Sequence, residues 1–447
     1  MRHLTVSVLH DILGGETRGV FDDREITAVT TDSRAATPGC LFAAIPGERV
    51  DGHDYIASAA DQGAACILCE RFVETAAPQL RVEDTQAALR ALAAYYRQQF
   101  EIPFIGVTGS VGKTTAKEMI AAVLSARLNT LRTEKNFNNE LGVPLTLFRL
   151  REEHEAAVVE MGISGFGEMT RLARMVRPDI AVYTLIGDAH LEFLGDRAGV
   201  LRAKGEMVDL MPAEGVVIAN GDDALLAAHD FGRRTVLFGL GDNCSVRAVD
   251  IENDGLSGMK CAIISGERRI PVRIPAFGRH LVYAALMGAA VGLELGLTDA
   301  EIALGVSRYE TVGSRGRVLE ANGLTVLDDC YNANPTSTAS ALDSLRTLNG
   351  RHVAVLGDML ELGDSSPALH EAVGRYAAQT GAAVIACGPM SRHIAAGAGE
   401  TAVWFPDTAA LIEALPQLVR PGDAVLVKAS RGMHFETVTE ALTAQKG

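Results

Sequence analysis

The chain has 447 residues, too many for one hydrophobic core, which calls for roughly two to four domains. With 48% hydrophobic and 22% charged residues it has ample material for packed α/β domains and is not a disordered chain. The balance of 41 basic against 56 acidic residues gives a formal charge of −15, which excludes a general nucleic-acid partner, and no apolar run is long enough for membrane insertion.

The opening MRHLTVSVLHDILGG has no small-residue cleavage pattern after an apolar run, so no signal peptide is read. Seven scattered cysteines, an odd number, fit a reducing compartment, and the expected localisation is cytoplasmic. Ile26 to Thr31, Cys40 to Ile45 and Ala64 to Leu68 read as strands. Cys66 and Cys69 form a C-x-x-C within the apolar run AACILC, where two buried strand thiols fit better than a redox or zinc pair. Between the strands lie TDSRAATPG and IPGERVDGHDY, polar and rich in turn residues. Asp32, Ser33 and Arg34 directly follow a strand, where a ligand could be gripped, although composition alone favours a solvated turn. Asp84 is placed to cap a helix with Leu89, Leu92, Ala93 and Tyr96 on one face. That helix ends near Phe100, and a first domain, 1–99, is expected to close there.

Ile102 to Val107 is an apolar run of strand length, and Thr108 to Gly112 is a glycine-punctuated turn. From Lys113 an amphipathic helix begins, with Met119, Ile120, Val123 and Leu124 at helical spacing. A strand feeding a glycine loop that opens a helix is a way to hold a polyphosphate. The N–H groups at the helix start point outward, and the helix dipole favours anions there. Lys113 would reach the β- and γ-phosphates, and the Thr114 hydroxyl would sit on a magnesium ion. Val107 stands where the strict pattern asks for Gly, with Gly106, Gly109 and Gly112 supplying the flexibility. This stretch is read as an ATP or GTP site.

The segment 100–312 then alternates strands and helices as parallel sheets do. TEKNFNNELGVPLTL is an asparagine-rich loop before a helix. Ala156 to Val159 is a strand closed by Glu160-Met161-Gly162, Gly167 to Val176 a helix stopped by Pro178, and Ile180 to Ile186 a strand leading into GDAHLEFLGD. Gly109, Glu160 and His190 all fall at or just beyond carboxyl ends of strands, the edge where open α/β sheets bind ligands. Glu160 is thus a plausible magnesium ligand. His190 rises above an ordinary loop histidine only by sharing this edge. Lys204 lies in the helical stretch DRAGVLRAKGEMVDLM, where its own surroundings favour a solvated lysine pairing with Glu206 or Asp209. Val216 to Ala219 is a further strand, residues 244 to 275 read as an antiparallel edge, and 277 to 296 as a helix of small residues built to pack closely.

From about 313 a third segment begins. Leu324 to Leu327 runs into DDCYNANP, His352 to Leu356 into GDMLELGD, Ala382 to Ala386 into CGP, and Ala424 to Val427 into KASRG. The polar clusters again sit at strand ends, and together they suggest a second ligand-facing edge.

In order along the chain, these motifs resemble the Mur ligase family, the ATP-dependent amide-forming enzymes of peptidoglycan precursor synthesis. TGSVGKTT resembles its P-loop and EMG its acidic magnesium motif. GDAHLEFLGD through AKGE resembles its His and Lys block, and DDCYNANPTS its nucleotide-facing loop in the last domain. Within the family, KNFNNELGVPLTL, YNANP, GDMLELG and TDSR…PGCLFAAIPGERVDGHDY are most similar to the branch that joins D-alanyl-D-alanine to a UDP-N-acetylmuramoyl-tripeptide.

The resemblance implies an α/β chain of three domains. These are a small α/β domain for the UDP-substrate (1–99), a central P-loop ATPase-like domain with a mostly parallel sheet (100–312), and a Rossmann-like domain for the amine (313–447). It implies ATP held by Thr108, Gly109, Ser110, Val111, Gly112, Lys113, Thr114 and Thr115, with Asn139, His280, Arg317 and Asp329. The UDP moiety would meet Asp32, Ser33, Arg34, Gly47, Asp51 and His53, which reverses the solvated-turn reading. Asn332, Asn334, Asp358, Lys428 and Ser430 would lie near the dipeptide. Lys113, Glu160, His190 and Lys204 would carry catalysis. Thr114, Glu160, His190 and Lys204 would serve two magnesium ions, with Lys204 carrying a carbamate. A monomer is expected. Leu185, Leu281 and Ala284 stand where the family usually has Asn, so the adenine contact must differ, and Ala429 stands where Gly is usual. Two rivals are another ligase of the same fold (diamino-acid-adding or folylpolyglutamate-like) and a nucleotide-dependent binding switch. The lack of an Asp-Asn-Pro-Arg motif counts against a diamino-acid-adding enzyme, and the joint presence of Lys113, Glu160, His190 and Lys204 against a switch.

Overall fold

The structure, a computed structural model, describes residues 1–47 and 49–444; the last three residues of the expected third domain fall outside it. It holds three sheets. The first runs Glu16–Arg18, Gln79–Arg81, Cys66–Cys69, Leu41–Ala43, Val29–Thr30, with only its first pair antiparallel. The second has nine strands, in the order Arg268–Ile274, Met259–Ser265, Val246–Asn253, Arg234–Gly239, Val216–Asn220, Ile180–Tyr183, Phe104–Thr108, Ala156–Glu160, Thr130–Arg132. The third runs Arg317–Ala321, Leu324–Asp328, Asp423–Lys428, Arg351–Gly357, Ala383–Cys387, Val403–Phe405, again with only the first pair antiparallel.

Burial follows the chemistry of each strand. Parallel strands covered on both faces need continuous apolar runs. FIGVT, AAVVE, VVIAN and CILC are buried at every position. The expected antiparallel edge is present as three strands, and Arg268–Ile274 alternates buried Ile270, Val272 and Ile274 with exposed residues. Cys66 and Cys69 lie inside a buried strand as expected, and burial pushes their thiols up to about 12 and about 11.

By backbone proximity the chain forms two compact units. One comprises Met1–Thr108, Leu128–Ala181 and Gly205–Val216. In it, Asp84 caps helix Thr85–Arg97 by accepting from Ala87 N at 2.9 Å, and the expected face of Leu89, Leu92, Ala93 and Tyr96 is buried. Arg97 ends that helix by donating to Val176 O at 2.7 Å with its guanidinium 3.9 Å over the Phe104 ring.

The other unit comprises Gly109–Arg127, Val182–Lys204 and Val217–Gly447. Its helix Lys113–Leu124 buries Met119, Ile120, Val123 and Leu124 as the spacing predicts. Two further helices approach it through glycines. A Cβ at Gly288, in helix His280–Glu294, would lie 2.9 Å from Val123 Cγ2, and one at Gly305, in helix Asp299–Ser307, 2.3 Å from Val123 Cα. The third sheet has a core on each face, one around Leu342, Leu345 and Leu426, the other around Val326, Val355 and Phe435.

Several strands are shorter than the sequence predicts. The strand expected from Ile26 to Thr31 is only Val29–Thr30, because Ile26 N donates to Leu4 O and Thr27 N to Gly39 O instead of to a ladder. The strand expected to reach Ile186 stops at Tyr183, since the backbone beyond it bonds to the glycine loop described below. Two strands are not among those expected. Arg234–Gly239 carries the short apolar run Val236-Leu237-Phe238. Arg317–Ala321 pairs with Leu324–Asp328 across Asn322-Gly323, both at positive φ, the two-residue signature of a tight hairpin.

Candidate functional site

The glycine loop is held by its neighbour, the stretch after strand Ile180–Tyr183. Ser110 N donates to Leu185 O at 2.8 Å, and Gly187 N to Ser110 Oγ at 2.9 Å. The Thr184 hydroxyl donates to Val111 O at 2.5 Å. That stretch is fixed in turn by Asn220 Nδ2 on Thr184 O (3.0 Å) and by Asp223 Oδ2, which accepts from Ile186 N at 2.7 Å. Gly109 has φ +148°, and a Cβ there would sit 1.9 Å from Thr184 Oγ1, so only glycine fits. Gly112, at φ +82°, starts helix Lys113–Leu124 without any side-chain cap. A helix start behind a glycine turn is the local geometry in which backbone N–H groups can meet an anion. Lys113 Nζ donates to Gly109 O at 2.8 Å, folded back across the loop, while Thr114 is buried and Thr115 half-buried. Gly106 is a strand residue whose Cβ would meet the Met207 and Met161 sulfurs, so its smallness serves packing, not the loop.

His190 follows this stretch in a left-handed conformation, and its Nδ1 lies 2.7 Å from Glu361 Oε2. The imidazole holds the Glu361 carboxyl below its usual range. Lys204, in helix Arg197–Gly205, is 1% exposed, so it is not the solvated lysine its local sequence suggests. The Tyr183 hydroxyl donates to its carbonyl at 3.1 Å.

In the other unit, Glu160 pairs with Val107 across adjacent parallel strands, at the level where the glycine loop begins. Thr108 Oγ1 donates to Met161 O at 2.9 Å. Glu160 is 1% exposed, and Asn138 Nδ2 donates to its Oε1 at 2.8 Å. The sequence singles out Asn139, but the side chain that meets the carboxylate is Asn138. Asn139 Oδ1 instead accepts from Leu141 N (3.2 Å) and Gly142 N (2.9 Å), opening helix Gly142–Leu147. In an Asn-Asn pair, only the backbone's path decides which one points to the acid.

The turn of Asp32, Ser33 and Arg34 is a short 3₁₀ helix capped by Asp32. Ser33 is buried, with its carbonyl taken by Gln62 Nε2 at 2.8 Å, and the Arg34 guanidinium pairs with Asp32 at 2.8 Å while remaining largely exposed. Asp51 Oδ1 lies 2.6 Å from His53 Nδ1 and its Oδ2 is 2.8 Å from Arg71. The His53 backbone N–H, then Arg71 and the His53 ring, hold the Asp51 carboxyl well below the carboxylate range. His53 Nε2 accepts from Glu70 N at 2.9 Å, so both ring nitrogens are used inside the fold, with the proton on Nδ1. Gly47 N donates to Val50 O at 3.0 Å, just ahead of Asp51.

In the third segment, Lys428 is 2% exposed and 2.6 Å from Asp329 Oδ2. Asp358 accepts from Ser391 Oγ at 2.6 Å, and Ser430 Oγ accepts from Leu360 N at 2.9 Å. Asn334 caps helix Pro335–Leu345 through Ser337 N at 2.8 Å, and Asn332 Oδ1 accepts from Ala333 N at 2.9 Å. Asp358, Lys428 and Ser430 are buried supports, Asn334 is a helix cap, and Asn332 is exposed on its loop. His280 opens helix His280–Glu294, and burial lowers its pKa. Arg317 is exposed on its strand. Leu281 and Ala284 are packed at 3% and 1% exposure, so the two positions where the family has Asn face the core here. Among the described residues, no group of three or more His, Cys, Asp or Glu side chains gathers as an all-protein metal site requires.

Family models described as Mur ligase family, catalytic domain; Mur ligase middle domain; and Mur ligase, glutamate ligase domain match residues 25–97, 107–292 and 308–431. The chain is 39% identical to UDP-N-acetylmuramoyl-tripeptide–D-alanyl-D-alanine ligase of Escherichia coli strain K12, over 99% of each chain. A crystal structure of MurF from Acinetobacter baumannii superposes with a TM-score of 0.93 at 33% identity, covering 99% of both chains. A MurF ligase from Thermotoga maritima, solved in complex with ADP, superposes with a TM-score of 0.84 at 28% identity, covering 94% of this chain and 98% of that one.

Proposed function

The chain belongs to the Mur ligase family, and from that premise we propose that it joins D-alanyl-D-alanine to UDP-N-acetylmuramoyl-tripeptide at the expense of ATP. It is an ATP-dependent amide-forming ligase of peptidoglycan precursor synthesis. The observation that carries the nucleotide chemistry is a helix that starts at Lys113 directly behind a loop in which Gly109 admits no side chain.

A carboxylate does not react with an amine at neutral pH, because it has no adequate leaving group. Transfer of the γ-phosphoryl of ATP onto the acceptor carboxylate makes an acyl phosphate. The free amine then attacks that carbonyl carbon, inorganic phosphate departs with the electrons of the C–O bond, and the nitrogen loses a proton. The protein's share is positioning and charge neutralisation. Thr108, Ser110, Val111 and the first-turn N–H groups would cradle the phosphates, with Lys113 swinging from Gly109 O to the transferring group. Asn139, His280, Arg317 and Asp329 would complete the nucleotide contacts. Asp32, Ser33, Arg34, Gly47, Asp51 and His53 would shape the UDP site, the last two mainly by holding its loop.

The donors offered by the Thr114 hydroxyl and the buried Glu160 carboxylate are hard oxygens, which suit magnesium supplemented by phosphate oxygens. Thr114 and Glu160 would each offer an oxygen to such an ion and His190 would serve a second, the chemistry supplied being neutralisation of charge on the transferring phosphoryl. Lys204 is 1% exposed, shielded from bulk water, and a carbamate formed there with carbon dioxide would add a further oxygen ligand. A carbon-13 carbamate resonance that appears with labelled bicarbonate and is lost in Lys204→Ala would support this; no such resonance in active wild-type protein would exclude it.

The boundaries 1–99, 100–312 and 313–447 are proposed as three domains, supported by each sheet falling within one of them. No helix among the described residues is long and apolar enough to cross a membrane, and a cytoplasmic monomer is the reading proposed. The test is phosphate release measured against a panel of UDP-muramoyl peptides and amines. Release is expected only when tripeptide precursor and D-alanyl-D-alanine are both present. Extension of the dipeptide precursor by a free diamino acid would assign another branch.

A further inference from the structure

Three of the residues expected beside the incoming amine, Lys428, Asp358 and Ser430, are engaged by the fold. The Lys428 ammonium has three N–H donors and three contacts: Asp329 Oδ2 at 2.6 Å, Asn332 O at 2.9 Å and Asp329 O at 3.4 Å. Asp358 accepts from Ser391 N, Ser391 Oγ and Met390 N, and Ser430 Oγ spans Leu360 N and Ala333 O. A ligand arriving at this edge finds these groups already satisfied.

What they hold up is the loop bearing Tyr331. Lys428 fastens it on either side, through Asp329 and Asn332, and Tyr331 N donates to Ser314 O at 3.1 Å, which sets the ring beside the next residue, Arg315. The Arg315 guanidinium carbon lies 3.7 Å from the Tyr331 ring centroid and that of Arg431 lies 5.6 Å from it. Asp329 is matched by Lys428, and the carboxylate nearest Arg431 is Glu436 at 3.7 Å, with the Arg431 side chain 63% exposed. Two guanidinium groups thus converge on one ring in a chain of formal charge −15. Stacking on an aromatic face fixes a guanidinium plane and leaves its edge N–H groups to fork onto an anion.

We propose that Arg315, stacked on Tyr331, and Arg431, beside the same ring, form the subsite for the C-terminal carboxylate of the incoming peptide. The proposal rests on the amine-substrate reading above. A dipeptide must present a neutral amine to the acyl phosphate while its other end stays anionic. A site that binds that end orients the amine without touching it. A nucleotide phosphate is the other anion this pair could hold, and the two are separable.

The test compares D-alanyl-D-alanine with its C-terminal amide in wild type, Arg315→Ala, Arg431→Ala and the two Lys variants, with thermal melts as a fold control. Wild type is expected to prefer the acid, and each Ala variant to lose about tenfold to hundredfold in kcat/KM on the acid with little change on the amide. The acid-to-amide ratio then falls toward one, Lys restores part of it, and the KM for ATP stays put. Should Arg431→Ala melt far below wild type, Arg315→Ala carries the comparison. An acid-to-amide ratio that survives in the variants, no wild-type preference, or a rise confined to the KM for ATP overturns the subsite. Wild-type protein that ligates no D-alanyl-D-alanine at all sinks the substrate reading and the subsite with it. Ligation without acid preference sinks the subsite alone.

Discussion

Lys113 is the residue on which the nucleotide reading turns. Its ammonium reaches back to Gly109 O at 2.8 Å, across the space a phosphate would enter. Removing one charge-stabilising donor from a phosphoryl-transfer site costs about 100-fold to 1000-fold in kcat. Lys113→Ala should therefore fold normally, by its melting curve, and lose phosphate release by that order; near-normal release would contradict the assignment. Asp51 gives a pH-dependent prediction. Its carboxyl is held well below the usual range, so the stability it lends is present above the unfolded carboxylate value, about 4, and drains away as pH falls through the folded value. Asp51→Asn should melt below wild type at neutral pH, with the gap narrowing in acid. A gap that is constant from pH 7 to pH 3 would show that the Asp51 charge is not what holds the loop. The glycine turn, the helix opening at Lys113 and the acid Glu160 at a strand's end were legible in the sequence, because residue type and spacing mark those local structures. The choice of Asn138 over Asn139 was not, nor was the inward turn of Asp358, Lys428 and Ser430. Both depend on where the backbone points a side chain, which no composition records.

At the scale of elements, apolar runs marked the parallel strands, and Asp84 marked its helix start. The edge strand Arg317–Ala321 was announced less by its half-exposed face than by the Asn322-Gly323 turn that pairs it with Leu324–Asp328. The small-residue helix 277–296 was legible as a close-packing element, and the structure gives it a partner. Helices His280–Glu294 and Asp299–Ser307 both press glycines against Val123 on the helix that follows the glycine loop. Gly305→Ala would drive a Cβ to 2.3 Å from Val123 Cα, backbone that cannot rotate away. Overpacking of this kind costs about 1–3 kcal/mol. Here it should also raise the KM for ATP, as the helix carrying Lys113 shifts. A stability loss with an unchanged KM would mean that the strain relaxes away from the loop.

For the whole molecule, composition limited the classes and the ordered motifs gave the family, while the three sheets, each within one proposed segment, explain why so long a chain divides. Gly313 and Gly316, both at positive φ, sit at the entry to the last segment and can absorb rotation there. The ligase account requires that chemistry wait for both substrates, because ATP splitting without an amine to accept the acyl group yields nothing. The most direct measurement is inorganic phosphate release by the purified protein with ATP and magnesium, while the tripeptide precursor and D-alanyl-D-alanine are omitted in turn. The account predicts sustained release only with all components, matched mole for mole by the pentapeptide product. Sustained release that is indifferent to either acceptor or amine would contradict it.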